Sequence, residues 1–212
     1  MKKRSREGDT SKKNTPQLVL EHLLDKDPVI FDIGSCEGED TIRYSRLFPH
    51  ARLYAFEPLP ANFMIVKNNL EKFSVSNAQC FDLAFSDATG TAEFYVSSAE
   101  NKSEEWDLGN KSSSLLPPKK HIEIHTAIAF KETISVKTER LDTFMRSHTL
   151  SKIDFIHMDV QGAELRVLNG AGDYLNNIKA LLLEVAHVEL YDKQPLSNEV
   201  ENYLLKHGFV RI

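Results

Sequence analysis

Short apolar segments alternate with amphipathic segments along most of the chain. Each apolar segment is bounded by turn or cap residues and has the length of a buried strand. In the segments between them, apolar residues recur every three or four positions, which is the spacing of a helix with one buried face. The pattern predicts core strands at residues 29–34, 51–58, 77–85, 153–160 and 178–185. It predicts helices at residues 17–26, 38–48, 60–73, 140–148, 162–171 and 197–208.

Strands that alternate with helices in this way indicate an α/β fold. Such units form a mostly parallel sheet with right-handed crossovers and helices on both faces, a Rossmann-like architecture. We predict a single domain over residues 17–212, and we interpret the last four residues, "FVRI", as the start of a further strand.

The middle of the chain departs from this alternation. The segment "GTAEFYVS" follows a "SDATG" turn and reads as an antiparallel arm, and "ETISVKT" alternates like an exposed strand. Residues 97–120 are rich in Ser, Lys, Asn and Pro and show little periodicity. Long irregular segments are usually either functional loops or disordered ones. We therefore predict a β-hairpin and loop insertion in this part of the fold.

The turn after the first strand carries the pattern D-x-G-x-x-x-G, with Asp32, Gly34 and Gly38. In an open parallel sheet, ligands bind outside the carboxyl ends of the strands, so this turn is the first candidate site. Residue 36 is a cysteine where a dinucleotide fingerprint needs its second glycine. Asp32 and Glu37 also make the turn acidic, which repels a pyrophosphate and attracts a sulfonium or ammonium group.

Glu57 ends the second strand, at the position where an acidic side chain binds the ribose hydroxyls in nucleoside-binding folds. The alternative is that the glycines only form a strand–helix turn and that Glu57 is a solvated strand end. The joint occurrence of D-x-G-x-x-x-G and a following "FEP" favours the ribose-binding interpretation.

These landmarks resemble those of the FkbM-type S-adenosylmethionine-dependent methyltransferases. The resemblance covers roughly residues 28–210, and its most specific piece is "MDVQGAELRVLNGA", followed by "FEP" and "DLAFSDATG". It implies a class I methyltransferase sheet, S-adenosylmethionine as the cofactor, and methylation of a hydroxyl on a small molecule or sugar. A class I sheet usually closes with an antiparallel hairpin. Only one closing strand is visible here, so we expect this hairpin to be incomplete.

The resemblance also implies roles for individual residues. It places Asp32, Gly34, Ser35 and Gly38 around the methionine and ribose parts of the cofactor. It assigns the ribose hydroxyls to Glu57, with Pro58 beside it, and the adenine to Asp82 and Leu83. It places Asp159 near the sulfonium. The family often has Lys or Arg where this chain has His157.

An alcohol acceptor must lose its proton, so a general base is needed. Asp159 is the first candidate, and its alternative role is to cap the helix that follows. His187, just after the strand "IKALLLEV", is a second candidate base or an ordinary loop histidine. His157 is a third, or a hydrogen-bonded core histidine. Asp159, Glu184 and His187 together also have the chemistry of a divalent-cation site, but their spacing is unspecific and we predict no metal.

Composition and charge narrow the functional classes. Hydrophobic residues make up 41% of the chain and charged residues 27%, as in ordinary soluble proteins. The net charge of −5 divides into +4 on the first 18 residues and −9 on the rest. We interpret residues 1–16 as a disordered basic tail. The acidic body argues against nucleic-acid binding.

The two cysteines form no disulfide framework or metal motif, and no segment has the length and apolarity of a membrane span. We therefore expect a cytoplasmic protein. Two other classes of function stay open beside the methyltransferase: an NAD-dependent oxidoreductase, and a catalytically silent cofactor-binding or interaction module. The loop 97–120, with Trp106, is expected either to cover the acceptor side of the site or to be an insertion without a role.

Overall fold

The computed structural model describes residues 20–99 and 110–212. Its central sheet has five parallel strands: β1 (Val29–Ile33), β2 (Arg52–Phe56), β3 (Ala78–Phe81), β7 (Phe155–Met158) and β8 (Leu181–Leu183). Their order across the sheet is β3-β2-β1-β7-β8. The predicted α/β fold with a mostly parallel sheet is therefore confirmed. Residues 1–16 and Trp106, for which the sequence analysis made predictions, lie outside the described residues.

Helices connect the strands and cover the sheet. They are α1 (Glu39–Leu47), α2 (Pro60–Lys72), α3 (His121–Ile124), α4 (Leu141–Ser147), α5 (Glu164–Ala171) and α6 (Ser197–Lys206), with a 3₁₀ helix at Gly172–Asn177. Residues 20–23 are also helical. Every residue of β1 is buried, as expected for a central strand covered on both faces. Among the described residues, no helix combines the length and apolar character needed to cross a bilayer.

The predicted strand 77–85 is divided in the structure. It breaks at Asp82 and Leu83, and its second part, β4 (Ala84–Phe85), joins a three-stranded sheet of order β4-β6-β5. Here β5 (Gly90–Ala99) pairs antiparallel and β4 pairs parallel with β6 (Ile128–Glu139). The predicted antiparallel arm is confirmed, and its partner is β6 rather than the strand before the turn. This small sheet stands at the carboxyl ends of the central strands, where β3 ends and β4 begins.

Residues 209–212 do not form the predicted last strand. Phe209 packs against the core, whereas Val210 and Ile212 are largely exposed. A strand is stabilised by hydrogen bonds to a neighbouring strand, and no described strand pairs with this segment. The prediction of a strand at residues 209–212 rested only on their apolar character, and it is wrong.

Candidate cofactor and active site

The reversal of strand order places the site between β1 and β7. From β1, the chain continues to β2 and β3 on one side of β1, and it later returns to β7 on the opposite side. The connections after β1 and β7 therefore diverge, and a crevice lies between the carboxyl ends of these two strands. The Gly34 N–H donates to the Phe56 carbonyl (3.0 Å), and the Asp159 N–H donates to the Ile33 carbonyl (3.0 Å). Backbone hydrogen bonds thus join the ends of β1, β2 and β7 into one rigid edge.

Gly34 is required by the protein itself. Its φ is 84°, and a Cβ at this position would lie 1.9 Å from the Asp159 carbonyl oxygen. Gly38, at the start of α1, also has a φ of 84°, and its Cβ would lie 3.2 Å from Val66 Cγ1 of α2. The groups that approach both glycines are therefore the loop after β7 and a neighbouring helix.

Glu57 holds the glycine-rich loop by its side chain. It is 5% exposed, and its carboxylate accepts hydrogen bonds from the Cys36 N–H (2.8 Å) and the Leu59 N–H (2.9 Å). Burial raises its pKa to about 7, although the two N–H groups act in the opposite direction. A carboxylate offers about four acceptor positions, so Glu57 can accept further hydrogen bonds from a ligand.

A cavity opens beside Glu57, between the strand-end loops and the small sheet. Five residues singled out from the sequence line it: Gly34, Glu57, Pro58, Leu83 and Asp159. Apolar side chains, including Phe56, Phe85 and Leu115, form much of its wall. The other residues singled out from the sequence are outside this lining: Asp32, Ser35, Gly38, Asp82, His157 and His187.

Asp32 and His157 lie behind the cavity, on neighbouring strands. Asp32 is 2% exposed and accepts a hydrogen bond from the Thr41 hydroxyl. His157 Nδ1 lies 3.4 Å from Asp32 Oδ1 and 3.6 Å from Asp40 Oδ2, contacts that are electrostatic rather than well-aligned hydrogen bonds. Burial by itself lowers the pKa of His157, but the two carboxylates outweigh it and raise this pKa. This position suits a supporting histidine better than a base that contacts substrate.

Asp82, His187 and Ser35 also lie outside the cavity lining. Asp82 is exposed and pairs with Lys137 at 2.7 Å, whereas its neighbour Leu83 faces the cavity. His187 is exposed on the loop after β8. Ser35 is buried, and within the described part of the chain its hydroxyl has no hydrogen-bond partner. The roles expected for these residues stay predictions.

The Asp159 carboxylate is oriented by a residue that the sequence analysis missed. Gln161 Nε2 donates to Asp159 Oδ1 (2.6 Å), and Gln161 Oε1 lies 3.1 Å from the hydroxyl of buried Tyr191. Gln161 adopts a left-handed backbone with φ of 50°, a conformation that costs a non-glycine residue energy and often marks functional sites. The sequence signal was the "DVQG" motif itself. Tyr191 had no such signal.

Two buried asparagines also line the cavity and were missed. Asn110 Nδ2 donates to Asn62 Oδ1 (2.6 Å), and Asn62 is near the Cys36 sulfur. Asn110 Oδ1 is buried and has no hydrogen-bond partner among the residues that the structure describes. Asn62 occupies an inward position of α2, between the apolar residues of its face, and this pattern was readable. Asn110 belongs to residues 97–120, whose sequence shows little periodicity, so no pattern predicted its position.

The described residues contain no group of three or more acidic, histidine or cysteine side chains arranged to hold a metal ion. Asp159 and Glu184 follow adjacent strands, because β7 and β8 are neighbours. His187 is not part of that pair. The divalent-cation alternative therefore has no support from the geometry of these residues.

The fold and the cavity define a Rossmann-like α/β protein with a ligand crevice at the carboxyl ends of its central strands. The family model "Methyltransferase FkbM domain" matches residues 32–211, and the chain belongs to this family. The chain is 37% identical over 185 residues to 2-O-methyltransferase NoeI of Sinorhizobium fredii, covering 87% of this chain and 74% of that protein. It is 28% identical over 150 residues to Methyltransferase 1 of Beauveria bassiana, covering 69% and 59%.

Among solved structures, a SAM dependent methyltransferase from Aquifex aeolicus aligns over 93% of this chain and 80% of its own, at 16% identity and a TM-score of 0.43. The family and the curated relatives make the chain an S-adenosylmethionine-dependent methyltransferase.

The cavity fits that cofactor. Glu57 offers a buried carboxylate with unused acceptor capacity, Asn110 offers a buried oxygen without a partner, and Leu83 and Phe85 offer an apolar surface for a flat ring. The turn after β1 does not match a pyrophosphate-binding turn, because it has Cys36 where the dinucleotide fingerprint needs its second glycine and carries the acidic residues Asp32 and Glu37.

Proposed function

We propose that this methyltransferase acts on a hydroxyl oxygen of a small molecule or sugar. The observation that carries the proposal is the 37% identity to a protein named a 2-O-methyltransferase, over most of both chains. The site is compatible with it, because Asp159 presents a carboxylate to the cavity at the end of β7, held in place by Gln161.

The positions of the cavity side chains suggest which of them bind the cofactor and which contacts the acceptor. Glu57 would hold the ribose hydroxyls, and Pro58 and Leu83 would border the nucleoside. When bound, S-adenosylmethionine supplies a methyl group activated by a sulfonium, and the S–C electron pair stays on sulfur after transfer. Since the donor is already activated, the protein contributes mainly alignment of donor and acceptor, which is worth several kcal/mol or more. Asp159 would accept the hydroxyl proton of the acceptor.

The acceptor class can be tested by label transfer. We expect the protein to transfer tritium from S-adenosyl[methyl-³H]methionine to at least one member of a panel of methyl glycosides and simple alcohols. NMR of the product should show an O-methyl group. Asp159→Asn should lower this transfer at least tenfold, because the acceptor proton then has no carboxylate to accept it. Asp87→Asn, on the exposed turn between β4 and β5, serves as the control.

A methyl group found on nitrogen or carbon would contradict the proposal. Cofactor binding without transfer to any acceptor, including cell-extract small molecules, would favour a silent cofactor-binding module instead. Equal transfer by wild type and Asp159→Asn would remove Asp159 from the catalytic role.

Cofactor binding should also release a proton. The pKa of Glu57 is raised to about 7, so the folded protein holds this proton more tightly than the unfolded chain. The stabilisation from the neutral form is fully present below about pH 4.5, falls as the pH rises, and is gone above about pH 7. Hydroxyl donors prefer the carboxylate, so affinity for S-adenosylmethionine should increase between pH 6 and 8. Calorimetry in buffers of different ionisation enthalpy measures the number of protons released on binding. The Glu57→Gln variant should release fewer protons than wild type. No proton release in wild type would contradict this.

A further inference from the structure

The end of the irregular segment 97–120 belongs to the wall of the cavity. Asn110, Lys111 and Ser113 line this cavity together with the turn after β1 and the end of β2. The sequence alone left two roles for the segment, a cover for the acceptor side of the site or an insertion without a role. The contacts of its described residues point instead to the side where the cofactor is expected.

Residues 110–114 are held in a defined conformation beside the cavity. The Asn110 carbonyl accepts hydrogen bonds from the Ser113 N–H (3.1 Å) and the Ser113 hydroxyl (2.6 Å), which close a tight turn. The Ser114 hydroxyl donates to the Gln161 carbonyl (2.7 Å), on the loop after β7. These contacts fix the backbone from which the Asn110 side chain extends.

The Asn110 side chain lies on the part of the wall formed by the turn after β1 and by α2. Its Nδ2 donates to Asn62 Oδ1 (2.6 Å), and Asn62 Nδ2 is 3.8 Å from the Cys36 sulfur. The Cys36 N–H in turn donates to Glu57 (2.8 Å). This row of contacts places Asn110 beside the glycine-rich turn, on the same side of the cavity as the carboxylate expected to hold the ribose.

Asn110 offers an acceptor that the described residues leave unused. The residue is 8% exposed, and its Oδ1 has no hydrogen-bond partner in the described part of the chain. Buried polar atoms almost always have a partner, which is either protein, ordered water or a bound ligand. A ligand that presents an N–H donor at this point would therefore gain a hydrogen bond without displacing one within the protein.

Lys111 brings a positive charge to the same region. It lines the cavity, and its Nζ is 3.4 Å from Glu39 Oε1 at the start of α1. The lysine side chain is 39% exposed and that of Glu39 is 59% exposed, and ion pairs in such solvent contact are weak. Lys111 can therefore pair with an anionic ligand group at little cost.

The amino-acid part of S-adenosylmethionine has the two groups that match this region. Its α-ammonium group has only donors, whereas its α-carboxylate has only acceptors. An amide oxygen and a lysine ammonium on consecutive residues complement these two groups. The adenine differs in kind, because it is a flat ring that suits the apolar surface of Leu83 and Phe85.

From these contacts we infer that Asn110 and Lys111 bind the amino-acid part of S-adenosylmethionine. Asn110 Oδ1 accepts a hydrogen bond from the α-ammonium group, and Lys111 Nζ pairs with the α-carboxylate. The end of segment 97–120 is thus part of the cofactor site. The inference goes beyond the proposed function, because it concerns the cofactor and does not depend on which acceptor is methylated.

Binding measurements on the full chain test the inference without an acceptor. Asn110→Leu keeps the size of the side chain and removes its polar atoms, so it should weaken S-adenosylhomocysteine binding about tenfold or more. Lys111→Met should weaken it about threefold or more. Both variants should bind 5′-methylthioadenosine, which lacks the amino-acid part, as wild type does. Competition against S-adenosyl[methyl-³H]methionine measures each affinity.

Matched controls are available on exposed positions outside the cavity lining. Asn68→Leu on α2 and Lys120→Met just before α3 make the same two substitutions away from the site. Neither should change the affinity for S-adenosylhomocysteine or for 5′-methylthioadenosine. Circular dichroism checks that every variant is folded.

Two analogues assign each residue to its group. Deaminated S-adenosylhomocysteine lacks the ammonium group, so Asn110→Leu should bind it as wild type does, while Lys111→Met should still bind it more weakly. Decarboxylated S-adenosylhomocysteine should give the reverse pattern. Asn110→Asp keeps an acceptor oxygen and adds a negative charge, so it should restore most of the S-adenosylhomocysteine affinity that Asn110→Leu loses.

Three outcomes would overturn the inference. Wild-type affinity of Asn110→Leu and Lys111→Met for S-adenosylhomocysteine would remove both residues from the cofactor site. An equal loss for S-adenosylhomocysteine and 5′-methylthioadenosine would mean that the variants disturb the cavity as a whole. Weaker binding by Asn110→Asp than by Asn110→Leu would mean that no ammonium group faces residue 110. Since none of these measurements involves methyl transfer, failure of the proposed function would be seen separately.

Discussion

Gly34→Ala should lower the free energy of unfolding by about 3 kcal/mol or more. The left-handed backbone at this position, with φ of 84°, costs an alanine about 1–2 kcal/mol. A Cβ would also lie 1.9 Å from the Asp159 carbonyl oxygen, so β1 and β7 would have to separate locally. Backbone cannot yield as a flexible side chain can, and strain of this kind is among the mechanisms of large destabilisation. Urea unfolding monitored by circular dichroism measures the change.

Gly208→Ala is the matched control for this prediction. Gly208 has a φ of 85°, almost the same as Gly34, but no atom of the described residues lies within 4 Å of its Cβ position. Its substitution should therefore cost only the backbone conformation, on the order of 1 kcal/mol. Equal destabilisation by the two variants would mean that the approach of the Asp159 carbonyl has no energetic weight. Any Gly34→Ala protein that stays folded should bind S-adenosylmethionine more weakly, because the edge of the cavity has moved.

Glu57→Ala should weaken S-adenosylmethionine binding at least tenfold. Hydrogen bonds to a charged group contribute about 1.5–3 kcal/mol each, and two ribose hydroxyls would lose their acceptor. The Cys36 and Leu59 N–H groups would also lose theirs, so the loop that borders the cavity would loosen. Calorimetric titration with S-adenosylmethionine measures the affinity, and circular dichroism checks the fold.

Glu71→Ala is a suitable control, because Glu71 is an exposed glutamate on α2 away from the cavity lining. It should bind the cofactor as wild type does. Glu57→Gln separates the two parts of the effect, since the amide keeps one acceptor oxygen for the loop but introduces a donor. A folded Glu57→Ala protein with wild-type affinity would show that the ribose is held by other residues.

The parts of this protein that the sequence determined are those governed by neighbours along the chain. The run "VIFDI" is apolar except for Asp32, so it predicted a buried strand, and β1 is buried at every residue. Glu57 was predicted at a strand end because "YAFEP" places the acid between an apolar run and a proline, and the structure has it there, at the cavity. Local signals of this kind were sufficient for the fold class and for Gly34, Glu57 and Asp159 of the cavity lining, whereas Pro58 and Leu83 were named from the family resemblance.

The tertiary structure decided what depends on segments far apart in the chain. Gly34 must be glycine because of Asp159, and Gln161 is held by Tyr191, 30 residues later. The division of strand 77–85 at Asp82 depends on pairing with β6, and "FVRI" lacks a strand partner among the described residues. Apolar periodicity records whether a residue is buried but not which segment covers it. The partner is chosen by backbone pairing and close packing, and these exist only once the chain has folded.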